Sequence, residues 1–350
     1  MLPLPEAIFS RCDSGIPKIS GSTFTRPTRD RRRIVEPLVS VIIPTHNRAD
    51  LVDQAVQSVL KQTYNAIETI VVDDGSTDNT RHTLNKYGDK IKYIYQERSE
   101  RSRARNNGFR SSKGDYIAFL DSDDLWLPNK IERQVQVLNE KPEVGLVYAG
   151  VEFISTNGNL YTGQISWDVP TRQVLYEDLM TSNVITGSTS SVMVRRTCLE
   201  EVGLFDESMN ACEDLDLYRR IAAHVRFHEI EEPLVKIRIH PDNTQHDLAR
   251  MASGWEVTVF KILTETPPEF DYYKDEAIIK LLSKIARLYL ENHNPHRFFL
   301  FCAKSVFRRP SWIVRAAFWK KLFQLFLEKY VKCPSLASSK SSKYDVNIFC

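Results

Sequence analysis

The sequence has no closely spaced pair of cysteines and no long apolar run. Its six cysteines include no C-x-x-C pair, which argues against a zinc site and a disulfide framework and is typical of a reducing compartment. No segment approaches the unbroken apolar length that spans a bilayer, and no charged region followed by an apolar stretch opens the chain. We therefore expect no signal peptide and a cytoplasmic location, with peripheral attachment at the cytoplasmic face of a membrane as the alternative.

Two common nucleotide-binding signatures are also missing. The chain has no G-x-x-x-x-G-K-[ST] loop, which excludes a P-loop NTPase, and no G-x-G-x-x-G after its first apolar run, which excludes a dinucleotide oxidoreductase. A sugar nucleotidyltransferase would need a glycine-rich phosphate loop at that place, where residues 44–47 read PTHN instead. The 47 basic and 45 acidic side chains leave a net charge of +2, which gives no reason to expect nucleic-acid binding.

Short apolar runs alternate with helical patterns in the first third of the chain. Residues 38–43 form a β-branched run that Pro44 stops, and residues 67–72 and 116–120 form two similar runs. Such runs are typical of strands buried on both faces. Apolar residues at helical spacing follow the first run, between residues 52 and 60. This alternation predicts an α/β fold with a mostly parallel, doubly wound, Rossmann-like sheet.

Acidic residues follow two of these predicted strands. Asp73 and Asp74 end the second run, and Asp121 and Asp123 follow the run at 116–120 in a D-x-D pattern. The carboxyl ends of parallel strands meet at one edge of a sheet, where ligands bind. Crowded carboxylates need a cation or a ligand to offset their repulsion, although acidic residues are also ordinary in turns. Hard oxygen ligands suit Mg²⁺ or Mn²⁺, so the pattern favours a divalent metal site.

Four motifs resemble the opening of family-2 glycosyltransferases. They are VSVIIPTHNR at 39–48, VVDDGSTDNT at 71–80, ARNNG at 104–108 and FLDSDDLW at 119–126. The resemblance continues through GLFDE at 203–207 and EDLDL at 213–217, and it covers about 38–244. It implies the GT-A fold and a nucleotide-sugar-dependent transferase of the hexosyltransferase type.

The resemblance also implies which residues bind the nucleotide sugar. The matching positions are Pro44, Thr45, Asn47, Asp73, Asp74, Arg105 and Asp121. The first three positions line the nucleotide pocket, and Asp74, or its neighbour Asp73, contacts the base or the ribose. Arg105 helps to hold the nucleotide, and Asp121 faces the ribose.

Metal binding and catalysis are assigned in the same way. The resemblance implies that Asp123 binds the divalent metal and that His240 completes the metal or diphosphate site. It also implies that Asp214 is the catalytic base. A metal stabilises a leaving diphosphate without moving protons, and a carboxylate can take the proton of the attacking hydroxyl. One base without a protein nucleophile predicts a single displacement with inversion at the anomeric carbon.

Three of these assignments have structural alternatives. Asp214 could instead favour a helix N-terminus through the helix dipole, and His240 could be a turn residue. Arg105 could lie on an exposed helix face within the basic stretch 98–110. Cys212 stands where the family usually has a glycine before the Glu-Asp pair, which leaves the local backbone geometry open.

Three regions are predicted along the chain. Residues 1–36 form a flexible N-terminal tail, residues 37–245 form the GT-A nucleotide-sugar-binding catalytic domain, and residues 246–350 form a helical C-terminal region. The last region mixes aromatic and basic residues between 298 and 331. Packing between helices is the favoured interpretation, and an amphipathic helix at a membrane surface is the alternative.

The predicted function is sugar transfer in cell-surface polysaccharide or glycolipid synthesis. A UDP-sugar is the expected donor, with dTDP- and GDP-sugars as alternatives, and a saccharide or a lipid-linked saccharide is the expected acceptor. A non-catalytic nucleotide-sugar-binding or regulatory protein of the same fold is the alternative. That alternative predicts loss of the metal acid or the base, whereas Asp123 and Asp214 are both present. A processive synthase is disfavoured because the chain lacks a Q-x-x-R-W motif.

Overall fold

The computed structural model describes residues 36–161 and 174–300, apart from 186, 242, 292, 293, 295 and 298. Nearly all of the predicted tail at 1–36 lies outside these residues, and so does almost all of the aromatic and basic stretch at 298–331. The predictions for both segments therefore stay predictions.

The first half of the described chain forms a parallel sheet flanked by helices. Its elements are β1 (Val39–Thr45), α1 (Ala49–Leu60), β2 (Ile67–Asp74), α2 (Thr80–Asn85), β3 (Lys92–Gln96), α3 (Glu100–Arg110) and β4 (Tyr116–Phe119). The strands lie in the order β3-β2-β1-β4, and each neighbouring pair is parallel. This order brings the ends of β1, β2 and β4 to one edge, as the sequence pattern predicted.

The second half extends the same sheet with mixed pairing. Its elements are β5 (Leu125–Trp126), α4 (Lys130–Glu140), β6 (Val144–Ser155), α5 (Tyr176–Leu179), β7 (Val192–Arg195), α6 (Arg196–Val202), α7 (Glu213–Ala222), β8 (Arg226–Ile239), α8 (Leu248–Glu265) and α9 (Asp271–Glu291). Strand β7 pairs antiparallel with β4 and β6, whereas β6 and β8 are parallel. Together the described strands form one eight-stranded sheet in the order β3-β2-β1-β4-β7-β6-β8-β5.

Both faces of this sheet are buried, which explains the unbroken apolar runs. Successive side chains of a strand point to opposite faces. Val41 and Ile43 therefore pack in the hydrophobic cluster that contains the apolar residues of α1 and α4. Ile42 packs in the other large cluster, which contains Leu217 of α7 and Leu281 of α9.

Helices α8 and α9 belong to the same core as the sheet. Trp255 and Ile262 of α8 join the cluster that contains Ile42. A Cβ at Gly254 would lie 2.6 Å from the carbonyl oxygen of Ala211, so the absence of a side chain lets α8 approach the segment before α7. In the described part of the chain, no helix combines the length and the apolarity that a bilayer crossing needs.

Candidate active site

A cavity of about 420 Å³ opens at the carboxyl ends of the parallel strands. Strand ends form one wall, the start of α7 forms another, and residues of α8 and α9 form a third. Seven of the predicted site residues line it: Pro44, Thr45, Asp74, Arg105, Asp121, Asp123 and Asp214. The chain therefore brings most of the predicted residues to one place from segments far apart in sequence.

Thr45 and Asp74 present polar groups at the ends of β1 and β2. The hydroxyl oxygen of Thr45 is buried and has no hydrogen-bond partner among the described residues. A buried orphan hydroxyl is costly, so a ligand group that bonds to it would be stabilising. Asp74 accepts hydrogen bonds from Arg98 Nη1 at 2.7 Å and from the Ser99 amide at 2.8 Å. Arg98, which the sequence analysis did not single out, also lines the cavity.

Asn47 and Asp73 lie behind this wall instead of on it. Asp73 accepts hydrogen bonds from the Tyr93 hydroxyl at 2.7 Å and from the Ser76 amide at 2.9 Å. Asn47 has a φ of 49°, and its side-chain oxygen accepts a hydrogen bond from the Thr77 amide at 2.7 Å. In this structure, both residues hold the loop after β2, so direct contact with a nucleotide stays a prediction for them.

Arg105 is buried between two carboxylates. Its Nη2 donates to Asp121 Oδ1 at 2.7 Å and its Nη1 donates to Glu213 Oε1 at 3.0 Å, while its side chain is 3% exposed. Burial lowers the pKa of Arg105, but the charges of Asp121 and Glu213 outweigh it and raise the pKa above its usual value. The guanidinium is therefore a fixed positive charge that joins the D-x-D turn to α7, and it does not lie on an exposed helix face.

Asp123 meets a histidine and an arginine. A hydrogen bond of 2.9 Å joins its Oδ2 to His240 Nε2, and the same oxygen pairs with Arg48. Burial raises the pKa of Asp123, but the bond with His240 and the charge of Arg48 lower it below its usual value. The carboxylate is thus ionised at neutral pH. His240 is next to the predicted metal acid, although it comes from the end of β8, 117 positions along the chain.

These two donors fit a divalent metal that a substrate helps to hold. Mg²⁺ commonly takes one or two carboxylates and completes its coordination with water and substrate phosphates, and carboxylate and water ligands suit Mn²⁺ as well. Asp123 supplies the carboxylate and His240 the imidazole. No group of three or more His, Cys, Asp or Glu side chains that could hold a metal occurs among the described residues. Water and phosphate oxygens would therefore complete the coordination.

A buried polar network supports the D-x-D turn, and the sequence analysis missed it. Asp124 Oδ2 accepts a hydrogen bond from Ser190 Oγ at 2.6 Å, and Asp124 Oδ1 accepts one from the Arg238 amide at 3.0 Å. The Arg238 guanidinium, which is 2% exposed, donates from Nε to the Asp123 carbonyl at 2.9 Å. Burial and the charges of Asp123 and Asp121 raise the pKa of Asp124. The third acid after β4 therefore holds the turn in place.

Asp214 lies at the start of α7 and faces the cavity. Its Oδ2 accepts a hydrogen bond from Asn183 Nδ2 at 3.0 Å, and its Oδ1 accepts one from the Leu215 amide at 2.8 Å. Burial and the negative charge of Glu213 raise the pKa of Asp214 to about 6. A carboxylate with such a pKa is ionised at neutral pH and is still basic enough to accept a proton.

The two residues before Asp214, Cys212 and Glu213, determine the backbone conformation and the electrostatic environment at the start of α7. Cys212 has a φ of 61° and a ψ of 17°, the left-handed conformation that favours glycine, which is the residue that the family usually has there. Burial raises the pKa of Glu213, but the charges of Arg101 and Arg105 lower it below its usual value. The adjacent acids therefore differ, because Glu213 is neutralised by arginines and Asp214 is not.

Comparisons with known proteins agree with this architecture. The family model for "Glycosyl transferase family 2" matches residues 40–203. An uncharacterized glycosyltransferase of Rickettsia prowazekii is 35% identical over 234 residues, which is 65% of this chain and 71% of that protein. The Escherichia coli UDP-Glc:alpha-D-GlcNAc-diphosphoundecaprenol beta-1,3-glucosyltransferase WfgD is 39% identical over 122 residues, 34% of this chain and 48% of that one.

Solved structures share the fold at low sequence identity. Staphylococcus aureus TarS 1–349 in complex with UDP-GlcNAc superposes with a TM-score of 0.55 and 15% identity, covering 78% of this chain and 92% of that chain. The mannosyltransferase PcManGT of Pyrobaculum calidifontis in complex with GDP-Man and Mn²⁺ superposes with a TM-score of 0.55 and 18% identity, covering 86% and 89%.

The fold and the relatives define the class of protein. The sheet with its flanking helices is that of GT-A glycosyltransferases, so the predicted fold is confirmed. The chain belongs to glycosyltransferase family 2. The predictions of this family and of a nucleotide-sugar-dependent glycosyltransferase are therefore confirmed as well. The roles of the individual site residues stay predictions.

Proposed function

We propose that this glycosyltransferase moves one sugar, or a few, from a nucleoside diphosphate to a hydroxyl of a saccharide or lipid-linked saccharide. The product would belong to a cell-surface polysaccharide or glycolipid. One observation carries the proposal: Asp214, with a pKa of about 6, lines the same cavity as Asp121 and Asp123. The activity named for the Escherichia coli relative, which acts on a lipid-linked saccharide, supports this acceptor class.

The reaction that fits this site is a single displacement. The acceptor hydroxyl gives its proton to the Asp214 carboxylate as its oxygen forms a bond to the anomeric carbon. The bond from that carbon to the diphosphate breaks, and the nucleoside diphosphate leaves with the electron pair. Asp123 and His240 would hold a Mg²⁺ or Mn²⁺ ion, which supplies positive charge to the diphosphate. One base without a nucleophile gives inversion at the anomeric carbon.

The donor side is proposed at the strand ends. Asp74 would bind the base or ribose, and the buried Thr45 hydroxyl would gain the hydrogen-bond partner that it lacks among the described residues. Asp121, with its side chain 24% exposed, would face the ribose, and the ion pair with Arg105 would hold the Asp121 side chain in place. We expect a UDP-sugar, with a GDP-sugar as the alternative. The solved structures hold UDP-GlcNAc and GDP-Man, which supports both nucleotides.

The non-catalytic alternative predicts that the base or the metal acid is absent or displaced. Asp214 and Asp123 both line the cavity, and both have an environment that suits the proposed role. This favours catalysis over binding alone. A cytoplasmic location and peripheral membrane contact stay predictions.

Calorimetric titration with UDP, GDP and dTDP, with and without Mn²⁺, tests the donor site. We expect one nucleotide to bind, with higher affinity when Mn²⁺ is present. The substitution Asp123→Ala should weaken that binding at least about tenfold, because a charged contact is worth about 1.5–3 kcal/mol. The matched control is Asp89→Ala, which removes an exposed aspartate that does not line the cavity. If a folded sample binds none of the three nucleotides, the proposal is wrong.

The stereochemistry is tested on the product. With an α-linked donor sugar, NMR of the new linkage should show a β-configured anomeric proton. An α-linked product would contradict the single displacement while leaving the donor site intact.

A further inference from the structure

The third wall of the cavity comes from helices that follow the family motifs. Trp255 and Met251 of α8 and Lys284 and Leu288 of α9 line the cavity together with Asp214. The Lys284 ammonium lies 4.2 Å from the centre of the Trp255 ring. An aromatic ring, a cation and two apolar side chains thus face the cavity that holds the proposed base.

This wall lies beside Asp214. The close approach at Gly254 places α8 directly against Ala211, one residue before Cys212 and three before Asp214. Trp255 is the next residue of α8. A base that takes a proton from the acceptor must lie on the acceptor side of the cavity. The wall of α8 and α9 is therefore on that side, whereas Thr45 and Asp74 are at the strand ends.

The chemistry of this wall indicates what it binds. Trp255 is 4% exposed and belongs to the core cluster, and its ring holds the Lys284 ammonium at this wall. A lysine ammonium is a compact charge that binds phosphate, and Lys284 is partly exposed at this wall. Met251 and Leu288 add apolar surface. The combination suits a ligand that has an anionic phosphate and an apolar portion.

We propose that Lys284, held over the ring of Trp255, forms the acceptor subsite and binds a saccharide that carries a phosphate or diphosphate group. This inference rests on the proposed function, because the subsite serves the same reaction. Trp255 positions Lys284, and Lys284 pairs with the phosphate, so that an acceptor hydroxyl reaches Asp214. A soluble sugar phosphate and the head group of a lipid-linked saccharide share this chemistry.

The test compares three acceptor probes at a saturating donor concentration. They are free N-acetylglucosamine, N-acetylglucosamine 1-phosphate, and N-acetylglucosaminyl diphosphate attached to a long-chain alcohol. We expect the KM of a phosphate-bearing probe to be at least about tenfold lower than that of the free sugar. Equal use of both phosphate-bearing probes indicates recognition of the head group alone. A lower KM for the third probe than for the second indicates that the apolar chain also contributes to binding.

Variants at Lys284 separate the acceptor from the donor. Lys284→Met keeps an unbranched side chain against Trp255 and should raise the acceptor KM about tenfold, with the affinity for the nucleotide unchanged. Lys284→Arg keeps the charge and should restore the low KM to within a few-fold. The matched control is Lys280→Met on the same helix, whose side chain is 47% exposed and outside the cavity. It should behave like the unchanged protein.

The outcomes distinguish this inference from the proposed function. If the unchanged protein binds no nucleotide, the proposed function itself fails. If nucleotide binding is intact but Lys284→Met leaves the acceptor KM unchanged, only the subsite is wrong. Glycosylation of none of the probes, or use of the free sugar as efficiently as the phosphate-bearing ones, would overturn the assignment of a phosphate-bearing acceptor.

Discussion

The acid side of the pH–activity profile should depend on Glu213. The charge of this residue is one of the causes that raise the pKa of Asp214 to about 6, while the charges of Arg105 and Arg101 lower it. The substitution Glu213→Gln removes the negative charge and leaves both arginines in place. Both effects favour ionised Asp214, so its pKa should fall.

The size of the effect follows from the titration. With a pKa of about 6, about a tenth of the Asp214 side chains are ionised at pH 5. A nearby charge moves a pKa by about 1 or more, so the variant should have about half of them ionised at that pH. Relative to its own plateau at high pH, the variant should therefore be about fivefold more active than the unchanged enzyme at pH 5.

The assay is kcat/KM between pH 4.5 and 8.5, measured by release of the nucleoside diphosphate. Measured with the nucleotide sugar as the varied substrate, kcat/KM reports the ionisation of the free enzyme and the free donor, so ionisations within the bound complex do not enter the profile. Glu269→Gln, which removes an exposed glutamate beyond α8, is the matched control and should leave the profile in place. An acid limb that stays where it was in Glu213→Gln, or moves to higher pH, would refute the assignment of Asp214 as the base.

Two further predictions concern stability. The raised pKa of Asp214 means that folding loses free energy as the pH rises from 3.8 to about 6, by at most about 3 kcal/mol. Because Asp214 is partly exposed, we expect Asp214→Asn to stabilise the protein by about 1–2 kcal/mol in urea unfolding at pH 7.5 but not at pH 4. The same substitution should lower kcat about 10²–10⁴-fold. An equal effect of the substitution on stability at both pH values would contradict this. Gly254→Ala should cost about 1–3 kcal/mol in the same experiment, because the new Cβ would lie 2.6 Å from the Ala211 carbonyl, and a neutral result would show that α8 can move away.

The sequence predicted the part of the site that lies at the ends of the parallel strands, because short apolar runs mark those strands. The apolar runs before Pro44, Asp73 and Asp121 are strands β1, β2 and β4, and their ends meet at the cavity. Alternation along a strand then separates neighbours such as Asp73 and Asp74. The sequence analysis kept Asp73 and Asp74 as alternatives for the nucleotide contact, because the run of apolar residues before them does not show which of the two faces the cavity. The structure places Asp74 at the cavity and Asp73 against Tyr93.

Contacts between distant segments could not be predicted in this way. Arg48 meets Asp123 across 75 positions, and Arg238 holds the turn after β4 from 115 positions away. A short sequence motif does not show which distant residues will meet, because these contacts depend on the order of all the strands in the sheet. The conformation of Cys212 is a different case, because the sequence analysis left the backbone geometry open at this position, where the family usually has a glycine. The structure shows the left-handed conformation that favours glycine.

The core shared by the sheet and the C-terminal helices limits how this enzyme can be remodelled. Buried side chains of α8 and α9, among them the cavity-lining Trp255 and Leu288, pack in one cluster with Ile42 of the first strand and Leu217 of α7. A graft of residues 248–291 from a relative would bring a new lining to the cavity and also a new inner surface to the sheet. Exchanging the proposed acceptor subsite therefore requires the recipient's β1 and α7 to be repacked together with the graft.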